Sequence, residues 1–315
     1  MKTRRLGNSD LQVSTVALGC WPMAGISSLD VNDQDSLKTI QRALDCGINF
    51  FDTAYSYGYS GQSDQLLAKA LEGCAEEVVI ASKVGTHYDP AGNRIIDGSP
   101  ETLIEHTKQS LQRLGVDRIQ LMYLHTPDPQ VAILESADAL AELKSMGLVQ
   151  HVGVSNVNLE QLKQFMSRCP VVAVQPYFNM LQQEVVRELR DLCLQENIAM
   201  ACYWVLMKGL LAGRMQRDHQ FDPKDRRLSY AVYQGEQWQR AQDLLDELRA
   251  MAAELGCTVS QLVIAWTLAQ SGITVALCGA KRAEQIEESA GAIDIELPPE
   301  LIHRISALVD SLFAN

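Results

Sequence analysis

Short apolar runs alternate along the chain with longer stretches whose apolar residues recur every three to four positions. "TVALG", "INFFDTA", "EVVIASK", "RIQLMYLH", "VQHVGVSN", "VVAVQPYF", "IAMACYW" and "TVALCG" are the apolar runs. Each is followed by a helical pattern: "VNDQDSLKTIQRALDCG", "SDQLLAKALEG", "SPETLIEHTKQSLQRLG", "PQVAILESADALAELKSMG", "NLEQLKQFMSRC", "QEVVRELRDLCLQEN", the pair "EQWQRAQDLLDELRAMAAELG" and "TVSQLVIAWTLAQSG", and "RAEQIEESAGAI". Runs apolar on both faces suit parallel strands covered by helices. Gly47, Gly73, Gly115 and Gly147 follow helical patterns, as residues just past a helix C-terminus do. Eight strand–helix units with no linker predict an α/β chain folded as one (β/α)8 barrel domain over residues 1–315.

"MKTRRLGNSDLQVS" carries a turn signal, Gly7-Asn8-Ser9-Asp10, between alternating residues. It predicts a β-hairpin outside the barrel, plugging its bottom. Two strand-to-helix connections exceed the usual length: Val84 to Pro100, and about Leu206 to Gly235. In a barrel such loops lie at the C-terminal face, where sites form. Both are expected to serve as lids or ligand walls.

Composition narrows the function. With 27 basic and 39 acidic residues the formal charge is −12, which argues against a nucleic-acid partner. The N-terminus has no apolar core of a signal peptide, and no apolar run approaches the length of a membrane span. A soluble, cytoplasmic protein is expected. The eight cysteines show no CxxC spacing and mostly lie in apolar segments, as reduced buried thiols do. No His/Cys/Asp cluster has metal-ligand spacing, so no metal is expected.

Polar residues at strand ends change the picture most. Asp52, Lys83 and His125 end the second, third and fourth runs. Neighbouring strands lie about 4.8 Å apart, so the three can meet at one mouth. Tyr57, in the loop after Asp52, can reach over them. A buried lysine needs a carboxylate, which Asp52 supplies. At about 4 Å and an effective dielectric near 20, an ammonium stabilises a phenolate by about 4 kcal/mol, or about three pKa units. The phenol is then expected to exchange protons near neutral pH, as a general acid should. His125 would orient the substrate oxygen. Spacing alone does not rank Tyr57 over Tyr59; Tyr55 is too close to the strand end.

With these residues in view, the chain closely resembles the aldo-keto reductase superfamily over essentially its whole length. "RRLGNSDLQVSTVALGCW", "GINFFDTAYSYG", "ASKVG", "LQRLGVDRIQLMYLHTPD", "GLVQHVGVSN", "AVQPYFNML", "GLLAG", "AWTLAQ" and "GAKRAEQIEE" carry the resemblance. It implies Tyr57 as the catalytic acid in a tetrad with Asp52, Lys83 and His125. It implies a nicotinamide cofactor, NADP(H), on a barrel that lacks GxGxxG. Ser155, Asn156 and Gln175 match the clamp on the carboxamide, and Tyr203 the ring stacked on the nicotinamide. Gly19 and Trp21 match positions beside the nicotinamide and substrate. Leu206, Lys208, Gly209, Leu211 and Gly213 match the loop passing the pyrophosphate. Gly279, Lys281 and Arg282 open the last helix, where a 2′-phosphate would bind. Gln285, Glu288 and Ser289 match ribose or adenine contacts, with Ser289 standing where relatives usually have Asn. "YWVLMKGLL" departs from the commoner "YSPLAKGLL", adding Trp204 near the cofactor channel. The implied activity is NADPH-dependent reduction of small aldehydes or ketones. The alternatives are an NAD(P)+-dependent sugar or hydroxy-compound dehydrogenase, and a cofactor-loaded regulatory partner resembling potassium-channel β-subunits.

Overall fold

The structure is a computed structural model and describes residues 2–26 and 30–313. β1 (Thr3–Arg5) and β2 (Gln12–Ser14) form an antiparallel hairpin. The barrel strands follow as β3 (Val16–Gly19), β4 (Phe50–Asp52) and β5 (Val79–Val84). A second hairpin, β6 (Thr86–Tyr88) with β7 (Arg94–Ile96), interrupts them. The barrel continues as β8 (Ile119–Leu124), β9 (Val149–Ser155), β10 (Ala173–Gln175), β11 (Ala199–Cys202) and β12 (Ile273–Gly279). The eight strands pair in parallel, in chain order, and β12 closes onto β3. This is the expected (β/α)8 barrel.

Helices α1 (Asp33–Asp45), α2 (Gln62–Ala70), α3 (Pro100–Leu114), α4 (Ile133–Ser145), α5 (Leu159–Met166) and α6 (Glu184–Gln195) follow successive strands. After β11 come α7 (Gly235–Leu255) and α8 (Val259–Leu268), and after β12 α9 (Ala283–Ala290) and α10 (Pro299–Phe313). Local chemistry sets their ends. Asn158 and Thr258 open α5 and α8 as capping boxes with Gln161 and Gln261. Gly115 and Gly256 close α3 and α7 in the left-handed conformation.

Two apolar layers result. Outward strand residues such as Phe51, Ile80, Met122 and Val154 meet the helices. Inward residues, including Ala17, Phe50, Ala81, Tyr123, Ala173, Ala201 and Leu277, fill the barrel, with Leu6, Leu11 and Val13 of the N-terminal hairpin packed against them. The hairpin thus plugs the bottom as expected. Gly153 makes room inside: a Cβ there would lie 2.4 Å from the Tyr123 ring. Among the described residues no single helix is long and apolar enough to cross a membrane.

Two segments add to this frame. Within Val84–Pro100, β6 and β7 pair and a turn between Asp89 and Asn93 joins them. The chain after Leu297 forms α10, which packs Ile305 and Val309 into the outer core.

Candidate active site

Side chains alternate in and out along a strand, so each inward row must end somewhere at the mouth. Continuing the inward positions by two residues gives Gly19, Asp52, Lys83, His125, Ser155, Gln175, Tyr203 and Gly279, one for each barrel strand. The candidate residues are therefore the polar top layer of a filled barrel.

Its centre is Lys83, buried to 1 % exposure. Its ammonium donates to Asp52 Oδ1 at 2.6 Å, the Thr53 carbonyl at 2.7 Å and Tyr57 Oη at 3.0 Å. A lysine has three N–H donors and no acceptor, so these contacts saturate it. Asp52 Oδ2 accepts from Gln175 Nε2 at 2.7 Å. Burial alone would neutralise this pair. Burial does pull Lys83 down, but Asp52 and Tyr57 outweigh it and hold the ammonium above its ordinary value.

Tyr57 faces the mouth between two rings, Trp21 at 5.1 Å and His125 at 6.0 Å, both edge-on. Burial pushes its phenol up and Lys83 pulls it down; the net is upward. This corrects the expectation of a phenol near neutral pH, because burying the phenolate outweighs the attraction of Lys83. Tyr57 is held as a phenol, the form a proton donor needs. Its oxygen accepts from Lys83, which leaves its own proton to be given elsewhere. His125 is kept neutral, since burial, Lys83 and Arg94 hold it well below its ordinary value.

Around the tetrad the polar groups engage one another. Ser155 Oγ donates to the Gln175 carbonyl at 2.8 Å, and Asn156 Nδ2 to the His125 carbonyl at 2.9 Å. Tyr203 Oη donates to Asn156 Oδ1 at 2.7 Å. Asn156 adopts φ +57°, which turns it back over the mouth. The Gln175 amide nitrogen is engaged with Asp52, which leaves its side-chain carbonyl oxygen as the group that can face a ligand.

The predicted cofactor loop is placed less simply. Trp204, Met207 and Lys208 all have positive φ, a conformation that costs non-glycine residues energy. The Lys208 ammonium sits 3.6 Å over the Trp204 ring and 4.4 Å over Tyr230, and burial lowers its pKa. The unusual Trp204 therefore holds Lys208 by cation–π contact. Leu206 is partly buried, and its carbonyl accepts from the Gly209 and Leu211 amides. Gly209, at φ +95°, lies within van der Waals reach of Arg227 and Met215. Leu211 is fully buried, so only its backbone could meet a ligand. Gly213 packs against Val259, and its carbonyl is held by Arg249.

At the opposite end, Lys281 and Arg282 open α9 next to Gly279, with Arg227 and Asp225 near Lys281. Gln285 Oε1 accepts from the Lys281 amide at 2.8 Å and caps the helix. Glu288 pairs with Arg214 at 2.6 Å. Ser289 is buried and donates to the Gln285 carbonyl at 2.9 Å. These three side chains thus each have a partner within the protein.

Sequence reasoning missed several neighbours. Thr53 donates to the buried carboxylate of Asp64 at 2.7 Å. Arg113 donates to the Tyr55 carbonyl at 3.1 Å and lies 4.3 Å over the Tyr55 ring, bracing the loop that bears Tyr57. Tyr55 also stacks on His106 at 3.7 Å. The sequence signal for Asp64 was its place on the same α2 face as Leu67.

The closed parallel barrel agrees with what comparison with known proteins finds. The aldo/keto reductase family model matches residues 15–310, and the chain belongs to that family. It is 32 % identical over 312 residues to the NADH-specific methylglyoxal reductase of Escherichia coli, covering 94 % of this chain and 95 % of that one. It is 27 % identical to the NADP(+) aldo-keto reductase yakc of Schizosaccharomyces pombe, covering 98 % and 92 %. A glycerol dehydrogenase from Gluconobacter oxydans superposes with a TM-score of 0.93 at 29 % identity, covering 99 % and 96 %. The members use nicotinamide cofactors, but these relatives differ in which one.

Proposed function

We propose that the protein reduces small aldehydes or ketones to alcohols with NADPH, and that Tyr57 gives the proton to the carbonyl oxygen. The observation that carries this is the saturated Lys83 ammonium 3.0 Å beneath the Tyr57 oxygen. It lets the phenol release its proton into a site that stabilises the phenolate left behind. Neutral His125 accompanies Tyr57 at the mouth, where it steers the carbonyl oxygen. Trp21 walls the substrate side.

The residues present fit a nicotinamide dinucleotide. An aromatic ring, Tyr203, stands with the amide of Asn156 and the hydroxyl of Ser155 near the tetrad, and basic residues lie at the start of α9. Bound there, the nicotinamide supplies the hydride. Tyr203, Asn156 and Ser155 would hold that ring, and Lys281, Arg282 and Arg227 would hold the 2′-phosphate end. The test is Tyr57→Phe: carbonyl turnover is lost while NADPH still quenches tryptophan fluorescence with wild-type affinity. Turnover within a few-fold of wild type sinks the assignment of the acid.

A further inference from the structure

The β6–β7 hairpin brings one cation to the mouth that the reduction itself does not use. Arg94 stands opposite Tyr88 in the hairpin register and is exposed. Its Nη2 reaches Thr126 Oγ1, the residue after His125, at 3.4 Å, long for a hydrogen bond. Its positive charge is felt at the site: it adds to the depression of His125 and opposes the upward push of burial on Tyr203. On the loop across the mouth, Arg214, Arg217 and Arg227 each pair with a carboxylate. Arg94 has no such pair among the described residues. In a chain of net charge −12, a cation left without a carboxylate at the mouth can draw an anion there.

The hairpin holds Arg94 in place. The Asp97 amide donates to the Gly85 carbonyl at 3.1 Å, which closes the hairpin's base. Asn93 donates to Asp89 at 2.8 Å, which fixes its turn. His87 packs edge-on against His106 at 5.3 Å, and Tyr88 against Tyr59 at 5.0 Å. Thr126 in turn donates to the His125 carbonyl at 2.8 Å. The backbone that carries Arg94 to the mouth is therefore held on both strands of the hairpin.

Building on the reductase reading, we propose that Arg94 determines substrate class: the preferred substrates are oxo compounds that also carry a carboxylate, which Arg94 binds while the carbonyl meets Tyr57 and His125. A single guanidinium fork matches the charge and planar geometry of one carboxylate; a phosphate dianion would call for more cations.

The test compares succinic semialdehyde with its methyl ester, and para-carboxybenzaldehyde with its methyl ester, at the nicotinamide absorbance. In the wild type kcat/KM favours each acid over its ester, and the preference shrinks as salt screens the exposed guanidinium. Arg94→Met lowers the acid-to-ester ratio about 10- to 100-fold, mainly through KM, as loss of a charged hydrogen bond does. Arg94→Lys keeps part of the preference, and matching thermal midpoints confirm both variants fold. A wild type that favours the esters, or a ratio unmoved in Arg94→Met, overturns the proposal. If Arg94→Met slows acid and ester alike, Arg94 only positions Thr126 and His125, and the proposal also falls. Turnover of none of the four by wild type instead defeats the reductase reading on which it rests.

Discussion

Replacing Lys83 by methionine separates the two jobs of its ammonium. The Nζ–Oη distance is 3.0 Å. At an effective dielectric of about 20, that pair stabilises a full phenolate by about 5.5 kcal/mol, or about four pKa units. If about half of the phenolate charge has formed at the transition state, the variant loses about 2–3 kcal/mol of barrier lowering, a kcat loss of order 100-fold. In alcohol oxidation, where the phenol must first lose its proton, the ascending limb of the pH–rate profile moves to higher pH. Stability falls as well, because Asp52 and the Thr53 carbonyl lose their donor while buried. Removing one partner of a buried pair costs about 3–5 kcal/mol. Steady-state kinetics and thermal melts on Lys83→Met and on Asp52→Asn/Lys83→Met tell the effects apart. The double variant removes the stranded carboxylate, so it regains stability and not turnover. Lys83→Met within about threefold of wild-type kcat, or turnover returning with stability, refutes the reasoning.

Three further outcomes are expected. Lys281→Ala raises KM for NADPH about tenfold or more with little change for NADH, since a charged contact to a 2′-phosphate is lost; a wild type that prefers NADH refutes that placement. Asp64 is fully buried, Oδ2 has no partner among the described residues, and burial pushes it up to about 7. Its folded pKa is raised, so its contribution to stability is present below about pH 4 and lost as pH rises toward 7; Asp64→Asn should gain thermal midpoint on wild type across that window, and parallel profiles would sink the idea. Gly213 has φ +73° and a Cβ there would sit 2.7 Å from Val259 Cβ, so Gly213→Ala should cost about 1–3 kcal/mol in urea unfolding; an unchanged midpoint would show that the turn yields freely.

The barrel and three of the four residues at its mouth were legible because they follow from period and position. Asp52, Lys83 and His125 interrupt apolar runs at their ends, and alternation decides that they point inward. Tyr57 was not separable from Tyr59 by spacing, since a loop has no period; in the structure Tyr59 is 61 % exposed and Tyr57 lies on Lys83. The β6–β7 hairpin escaped notice because three residues a side are too few to show alternation. The rim of the cofactor region was read only as residue types. That Gln285 would cap its own helix, Glu288 pair with Arg214 and Gln175 hold Asp52 depends on partners 3 to 123 positions away. Net titration was equally hidden, because Coulomb's law is readable from neighbours and depth of burial is not.

The saturation of Lys83 has a chemical corollary for a pocket proposed to admit aldehydes. A free amine condenses with an aldehyde to an imine, and a thiolate adds to it. With its three protons engaged and its pKa raised, Lys83 offers no lone pair for such an attack. Cys20, buried close by, has its thiol pushed far up by the same burial. The layer that promotes proton transfer is therefore also self-protecting, keeping an electrophile from being captured by its own host.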